Sequence, residues 1–425
     1  MVQKFICNLE GSYGKGEEAV HLGPIYIADM NDAVHEQLVI NKNNITHYHK
    51  ARKWDKYKKI SNEYELVFTS TQGFPSIASY NPISRSYFKL WEILHDFETE
   101  IGFPDGPTTA VFLADAPGGF GEAFINYRET YKDRLTGMSL KATNKIIPNW
   151  KFNKEYCDKH SLTLFYGGSG TGSLYDLSNI IDLVGKCGSN DTFFITADGG
   201  FDFSSDFNNQ EEMSLRLVMC EIYAALLLQK PGGSFVLKIY DIHNLATIKF
   251  LYILKLFYKE LRFLKPLSSR PANSEKYVVC TNFDMSDKTT YAKITNMLKY
   301  NVIRYRHYEI LKDLSVPPSF MIDILRYNIF FITNQSIHII KTLSLIDALD
   351  ERTENAMVRV QVEKAIKWCH KYKMKVSMQA LKQYRPYFFG VPASPLASPS
   401  ASPSASPSAP PSASAEAAAS TTGAT

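Results

Sequence analysis

The stretch TAVFLADAPGGFGEAFI, residues 109–125, decides the fold. Its first seven residues (109–115) form an apolar run of strand length ending in Asp115, after which the chain turns through Ala116-Pro117-Gly118-Gly119 and enters a helical pattern. Glycines here let the backbone approach a ligand closely, and the helix N-terminus offers partial positive charge to a carboxylate or phosphate. Strand, Gly-rich turn and helix in that order open a doubly wound sheet. An ordinary structural turn reads the same way, so the loop alone names no ligand. It is not a G-x-G-x-x-G fingerprint, the next strand ends in Met138-Ser139-Leu140 without an acidic residue, and no GKS or GKT phosphate loop occurs. These features disfavour NAD and ATP. A nucleoside whose amino-acid tail lies against the Gly turn fits better, and S-adenosylmethionine is the candidate.

Working outward, apolar runs of strand length alternate with helical segments, the rhythm of a mostly parallel sheet. Strands are expected at 109–115, 134–140, 162–167, 191–198, 233–240, 260–266 and 276–283. The long helical run EEMSLRLVMCEIYAALLLQK is expected to stop at Pro231-Gly232-Gly233. The last two strands are joined by PLSSRPANSE, too short for a crossover helix, so they should be antiparallel. The fold class is α/β: a Rossmann-like seven-stranded sheet (81–285), preceded by an extension (1–80) and followed by a helical region (286–390). Residues 391–425 are almost wholly Ala, Ser, Pro and Thr with one charge at Glu416, and are expected to be a disordered tail.

Net charge is +4, too small to argue for a polyanion by itself. Locally, HYHKARKWDKYKKI (47–60) holds six Lys or Arg against one Asp and interleaves Tyr48, Trp54 and Tyr57, and Lys299–Lys312 is similar. Such runs either follow a phosphate backbone while rings stack on bases, or are solvated helices whose aromatics face the core. The six cysteines are dispersed, with no CxxC, which fits free thiols and no zinc site. Apolar stretches such as LATIKFLYILKLFYKELRFL are broken by lysines, so no membrane span is expected.

Four residues stand in segments that could converge at the carboxyl edge of this sheet: Lys89 in SRSYFKLWEI, Asp198 in FFITADGGFD, Lys238 in GGSFVLKIYD and Glu275 in SRPANSEKYVVC. With two lysines and two carboxylates around a substrate hydroxyl, one lysine can be held neutral by the charge of the other and act as a general base. A second glycine cluster, YGGSGTGSLYD (166–176), lies on the same edge. It is either a flexible loop or a holder for adenine, with Ser173, Leu174 or Asp176 nearby.

The motifs AxAPGGF, ADGGFD, GGSFVLK and FLKPLSSRPANSEKYVV, in that order, resemble those of the FtsJ-type ribose 2′-O-methyltransferases, and most closely the cap-specific enzymes of eukaryotes and large DNA viruses. The resemblance spans about residues 81–283. It implies a Lys-Asp-Lys-Glu tetrad at Lys89, Asp198, Lys238 and Glu275. It further implies cofactor contacts at Ser84, Gly118, Gly119 and Asp198, with S-adenosylmethionine as methyl donor. The remaining expected cofactor residues are Asp115, Ala116, Pro117 and Phe120 around the Gly-rich turn, Ser139 at the end of the second strand, and Ser173 and Leu174 of the second glycine cluster; no metal is expected. The chain departs from some relatives in lacking acidic residues at the ends of the second strand and of the Gly-rich loop. Lys238 is the expected base, its pKa lowered by burial and by Lys89, while Asp198 orients Lys238 and Glu275 orients Lys89 or the ribose. The implied substrate is RNA, the first transcribed nucleotide of capped viral mRNA, with other capping or transcription proteins as associates. The expected location is the host cytoplasm, in a viral factory, and also the virion. Methylation of a non-cap RNA, or a non-catalytic RNA-binding subunit, stay open as alternatives.

Overall fold

Val111, Phe112 and Leu113 are all buried, as are Phe194–Ala197 and Phe235–Leu237, the pattern of strands covered on both faces. The computed structural model describes residues 7–8 and 23–389, except 51, 130, 143–146, 202, 204–205 and 307–310. The tail expected at 391–425 lies outside the described residues.

The strands are β1 (Cys7–Asn8), β2 (Thr109–Leu113), β3 (Arg134–Met138), β4 (Leu162–Phe165), β5 (Thr192–Ala197), β6 (Gln229–Ile239), β7 (Tyr258–Leu264) and β8 (Lys276–Phe283). They form one sheet in the order β1-β7-β8-β6-β5-β2-β3-β4. Strands β2 to β6 run parallel, and β8 inserts antiparallel between β6 and β7. All seven expected strands are present, the last pair antiparallel as expected. The eighth, β1, pairs antiparallel with β7 through two residues. Strand order reverses between β2 and β5, so a crevice opens at their carboxyl ends.

Helices α1 (Gly23–Lys50) and α2 (Lys53–Ile60) precede the sheet, with α3 (Ser86–Asp96) and α4 (Glu98–Ile101) leading into β2. Between strands run α5 (Gly119–Tyr127), α6 (Lys154–Lys159), α7 (Leu177–Cys187), α8 (Gln210–Leu228) and α9 (Leu245–Phe257). After β8 come α10 (Lys288–Ile303), α11 (Pro318–Ala348), α12 (Glu351–Lys371) and α13 (Met378–Phe389). One face of the sheet packs on α7, α8, α9 and α10. The other packs on α3 and α5; α12 closes over α3 through Trp368 and Tyr372, and α13 packs on Phe74 and Pro75 through Tyr384. A third cluster joins α1, α2 and α11 through Leu38, Trp54 and Ile339.

One expectation is corrected, and one open alternative is decided. Pro231-Gly232-Gly233 does not stop the helix in a loop: α8 ends at Leu228 and β6 already begins at Gln229, with a register shift opposite Thr192 and Phe194. Gln229 is held in the sheet because its amide donates to the carbonyls of Thr192 and Phe193, each at 2.9 Å, and its side-chain oxygen accepts from Tyr258. In the run 47–60 the rings are not free to stack on bases. Trp54 is buried and the Tyr48 hydroxyl bonds Asp347 at 3.1 Å, which supports the solvated-helix reading of that run. Helix α11 is long and apolar enough to cross a membrane by composition, yet it buries Phe320, Ile324, Ile332 and Ile339 inside the fold.

Candidate active site

The carboxyl edge of the parallel strands gathers the tetrad. Asp198 follows the last residue of β5, Lys238 lies near the end of β6, and Glu275 immediately precedes β8. Lys89 arrives from α3, beside the sheet and not from a strand end.

The four side chains form two ion pairs. Lys238 Nζ lies 3.2 Å from Asp198 Oδ1 and donates to the Asp198 carbonyl at 2.9 Å. Lys89 Nζ lies 2.7 Å from Glu275 Oε1. Tyr277, register partner of Lys238 on β8, donates its hydroxyl to Asp198 Oδ1 at 2.9 Å, and Ser269 donates to Glu275 Oε1 at 2.9 Å. Every carboxylate in the set is therefore fixed from two sides.

Electrostatics follow from this alternation. Burial lowers the Lys238 ammonium, but Asp198, Tyr240 and Glu275 outweigh it and raise the group above its ordinary value. Glu275 is pulled down to about 2: burial opposes this, and Lys89, Lys238 and Lys265 overcome it. The expectation that Lys89 holds Lys238 neutral is thus corrected. Lys89 is engaged by Glu275, and the nearest charges to Lys238 are negative. Beneath the pair, burial raises the Glu221 carboxyl to about 8, against the pull of Lys238.

A cleft of about 750 Å³ opens in front of Asp198, Lys238 and Glu275, within the usual range for a small-molecule site. Of the expected cofactor residues, Ser84, Ala116, Pro117, Ser139, Ser173, Leu174 and Asp198 line it. Leu140, Ile147, Pro148 and Leu174 supply an apolar slot beside the hydroxyls of Ser139 and Ser173, a fit for a nucleoside.

The other four sit behind the wall. Asp115 is 2% exposed and accepts from the backbone N–H groups of Phe120 at 2.9 Å and Gly121 at 2.8 Å, capping α5. Burial raises its carboxyl well above the usual range. Phe120 is fully buried beside Tyr277. Gly118 has φ +118°, and a β-carbon there would lie 2.5 Å from the Phe152 ring. At Gly119 a β-carbon would collide with the hydroxyls of Ser84 and Ser86. Asp115→Ala should therefore act on stability, lowering the unfolding free energy by about 1–3 kcal/mol because two buried N–H donors lose their acceptor. Urea unfolding checks this, and an unchanged midpoint would remove the capping role.

Sequence reasoning missed several groups at the cleft. Tyr240, whose hydroxyl is raised to about 12 by burial, lines it together with Ser86, Phe201 and Phe203. Tyr240 stands two residues beyond Lys238, just past the end of β6, a signal that extending the period-two reading of the strand could have used. Phe201 and Phe203 alternate within GGFDF, just past Asp198. Among the described residues no cluster of His, Cys, Asp or Glu could hold a metal.

A parallel nucleoside crevice with paired lysines and carboxylates defines a group-transfer type of site. Residues 82–283 match the family described as FtsJ-like methyltransferase. The cap-specific mRNA (nucleoside-2′-O-)-methyltransferase 1 of Trypanosoma brucei brucei is 34% identical over 197 residues, 46% of this chain and 51% of that protein. Its namesake in Drosophila melanogaster is 31% identical over 204 residues, covering 46% of this chain and 25% of that protein. The matched part thus spans about half, or less, of these relatives' length. Among solved structures, a chain described as a ribosomal RNA methyltransferase from Plasmodium falciparum overlays 47% of this chain and 97% of itself at 17% identity, with a TM-score of 0.34.

Proposed function

We propose that this protein transfers a methyl group from S-adenosylmethionine to a ribose 2′-hydroxyl of RNA, at the first transcribed nucleotide of capped mRNA. The observation that carries this reading is the Lys238 ammonium, held between the carboxylate and the carbonyl of Asp198 at the mouth of a nucleoside-sized cleft, with the Lys89–Glu275 pair beside it. The bound cofactor would supply an activated methyl on a sulfonium. The chain's own task is then alignment of the acceptor hydroxyl and removal of one proton. Ser139 and Ser173 would hold the nucleoside polar groups and Leu140 and Leu174 its base. Asp198, on the same wall, would face positive charge.

Lys238 would take the proton as the 2′-oxygen attacks. It must first lose its own proton to solvent, and positive charge beside Asp198 would offset that carboxylate's field and lower the Lys238 pKa. Lys89 and Glu275 would fix the ribose. The cap as target is supported by the two relatives named above, and the fold itself does not choose a substrate. The exposed Lys53 and Lys56 of α2 would offer phosphate contacts. Placement in the host cytoplasm is part of the proposal and rests on the resemblance to viral enzymes.

The test compares one RNA sequence with and without a 5′ cap, using cofactor labelled in the methyl group. Label should appear on the capped RNA, and alkali should leave a dinucleotide uncut at its 5′ end, because a methylated 2′-oxygen cannot attack the neighbouring phosphodiester. Equal labelling of uncapped RNA would move the target elsewhere. No labelling of any RNA would favour a non-catalytic RNA-binding subunit.

A further inference from the structure

One face of α3 carries Arg85, just ahead of the helix, then Lys89 and Glu92, spaced four and three residues apart so that they stack along a single stripe. All three engage the segment between β7 and β8, Lys265–Glu275. Arg85 donates from Nε and Nη2 to the carbonyl of Ser268, at 3.1 and 2.9 Å. Glu92, fully buried, accepts from the N–H of Leu267 at 2.8 Å and from the N–H of Ser268 at 2.7 Å. Ser268 is thus gripped at both its N–H and its carbonyl. The next residue, Ser269, donates to Glu275, and Lys89 pairs with the same carboxylate. The far side of the segment is tied by Glu65, which binds Arg270 at 2.7 and 3.0 Å and lies 3.3 Å from Arg85.

We propose that Glu92, acting with Arg85, is a positioning residue for methyl transfer: it clamps the Leu267–Ser268 backbone so that Ser269 and Lys89 meet the Glu275 carboxylate in one geometry. This rests on the methyl-transfer reading. Glu92 does not line the cleft and touches none of the reacting atoms. Its effect passes through Glu275. Two backbone donors aimed at one buried carboxylate make a stiff support, since charge-assisted hydrogen bonds are roughly twice as strong as neutral ones. Helix α3 then sets Lys89 and the Glu275 segment on one rigid element, and misplacement of such a pair by an ångström can cost catalysis roughly 100-fold.

The test is Glu92→Gln in the full chain. The amide keeps the volume but offers one acceptor and turns an N–H₂ toward the second backbone donor. Turnover should fall at least tenfold while cofactor affinity, by calorimetry, stays within twofold. In a Glu275→Gln background the same change should cost less than twofold, because residues acting through one contact are not additive. Amide exchange at Leu267 and Ser268 should quicken at least tenfold. Turnover within twofold of the parent, or the same loss in both backgrounds, overturns the proposal. Should Glu92→Gln not fold, Ser269→Ala cuts the same chain nearer Glu275 and should give the same split between turnover and affinity. If the parent itself methylates no RNA, the functional reading fails, and the exchange measurement still decides whether Glu92 clamps the segment.

Discussion

Lys238→Ala should reduce methyl transfer at least 100-fold while cofactor affinity stays within about threefold. General-base contributions run at roughly 10²–10⁴. The nucleoside wall is built from other residues: Ala116, Ser139, Leu140, Ser173 and Leu174 all keep their places without the lysine. Loss of the amine leaves Asp198 tied to Tyr277, so its carboxylate stays in position. The pH dependence follows from the charge state. Because Asp198 and the neighbouring acids raise the Lys238 pKa, the resting lysine is protonated, and the rate should climb as pH rises from about 6 to 9. Lys89→Met would strip Glu275 of its partner, strengthen the negative field on Lys238 and push that limb to higher pH. Single-turnover rates with labelled cofactor check both statements. A flat native profile, with chemistry rate-limiting, would remove lysine as the base and leave alignment as the main effect.

Gly118→Val should lower cofactor affinity more than tenfold and reduce thermal stability together. The residue has φ +118°, which a β-branched side chain does not adopt without strain, and its first added atom meets Phe152 at 2.5 Å. Phe152 stacks on Tyr156 and is backed by the α5 cluster, so the ring has little room to yield. Relief of this clash pushes the Ala116–Pro117 wall, which faces the cleft. The cause can be split. Gly118→Ala combined with Phe152→Ala removes the collision but keeps the dihedral strain, and should recover part of the affinity. Calorimetry showing unchanged affinity for Gly118→Val would leave the loop as a turn with no bearing on the ligand.

The sheet was legible because its strands are buried on both faces and so read as unbroken apolar runs such as AVFL and FFIT. The tetrad was legible because each member adjoins a strand end or a motif with few alternatives. Pairing was not. How completely Glu275 takes up the charge of Lys89 depends on how closely α3 lies against the segment before β8, a contact across 186 residues that no local pattern encodes. The same reason hid Glu92 and Arg85, whose partners are backbone groups far along the chain. Asp115 was visible as an acidic strand end, but its reach forward to the N–H groups of Phe120 and Gly121 is a matter of turn geometry. The aromatic residues of 47–60 left two readings open for a different cause: the partners that decide between them come from α11, nearly three hundred residues later.

The cover that α12 places over α3 ties the segment that carries Lys89 to the C-terminal helices. Phe88 meets Trp368 edge-on at 5.5 Å, Trp91 donates to the Tyr372 carbonyl at 2.8 Å, and Gln361 bonds the carbonyls of Lys59, Ile60 and Asn62. Peeling α12 away would therefore uncover the helix that carries Lys89 while leaving the central strands paired. Local opening of that kind needs less free energy than melting the sheet. Enzymatic activity should then fade on warming before the far-ultraviolet signal of the strands does, with a protease nicking α12 in that interval, so the flank acts as the thermal fuse of the site.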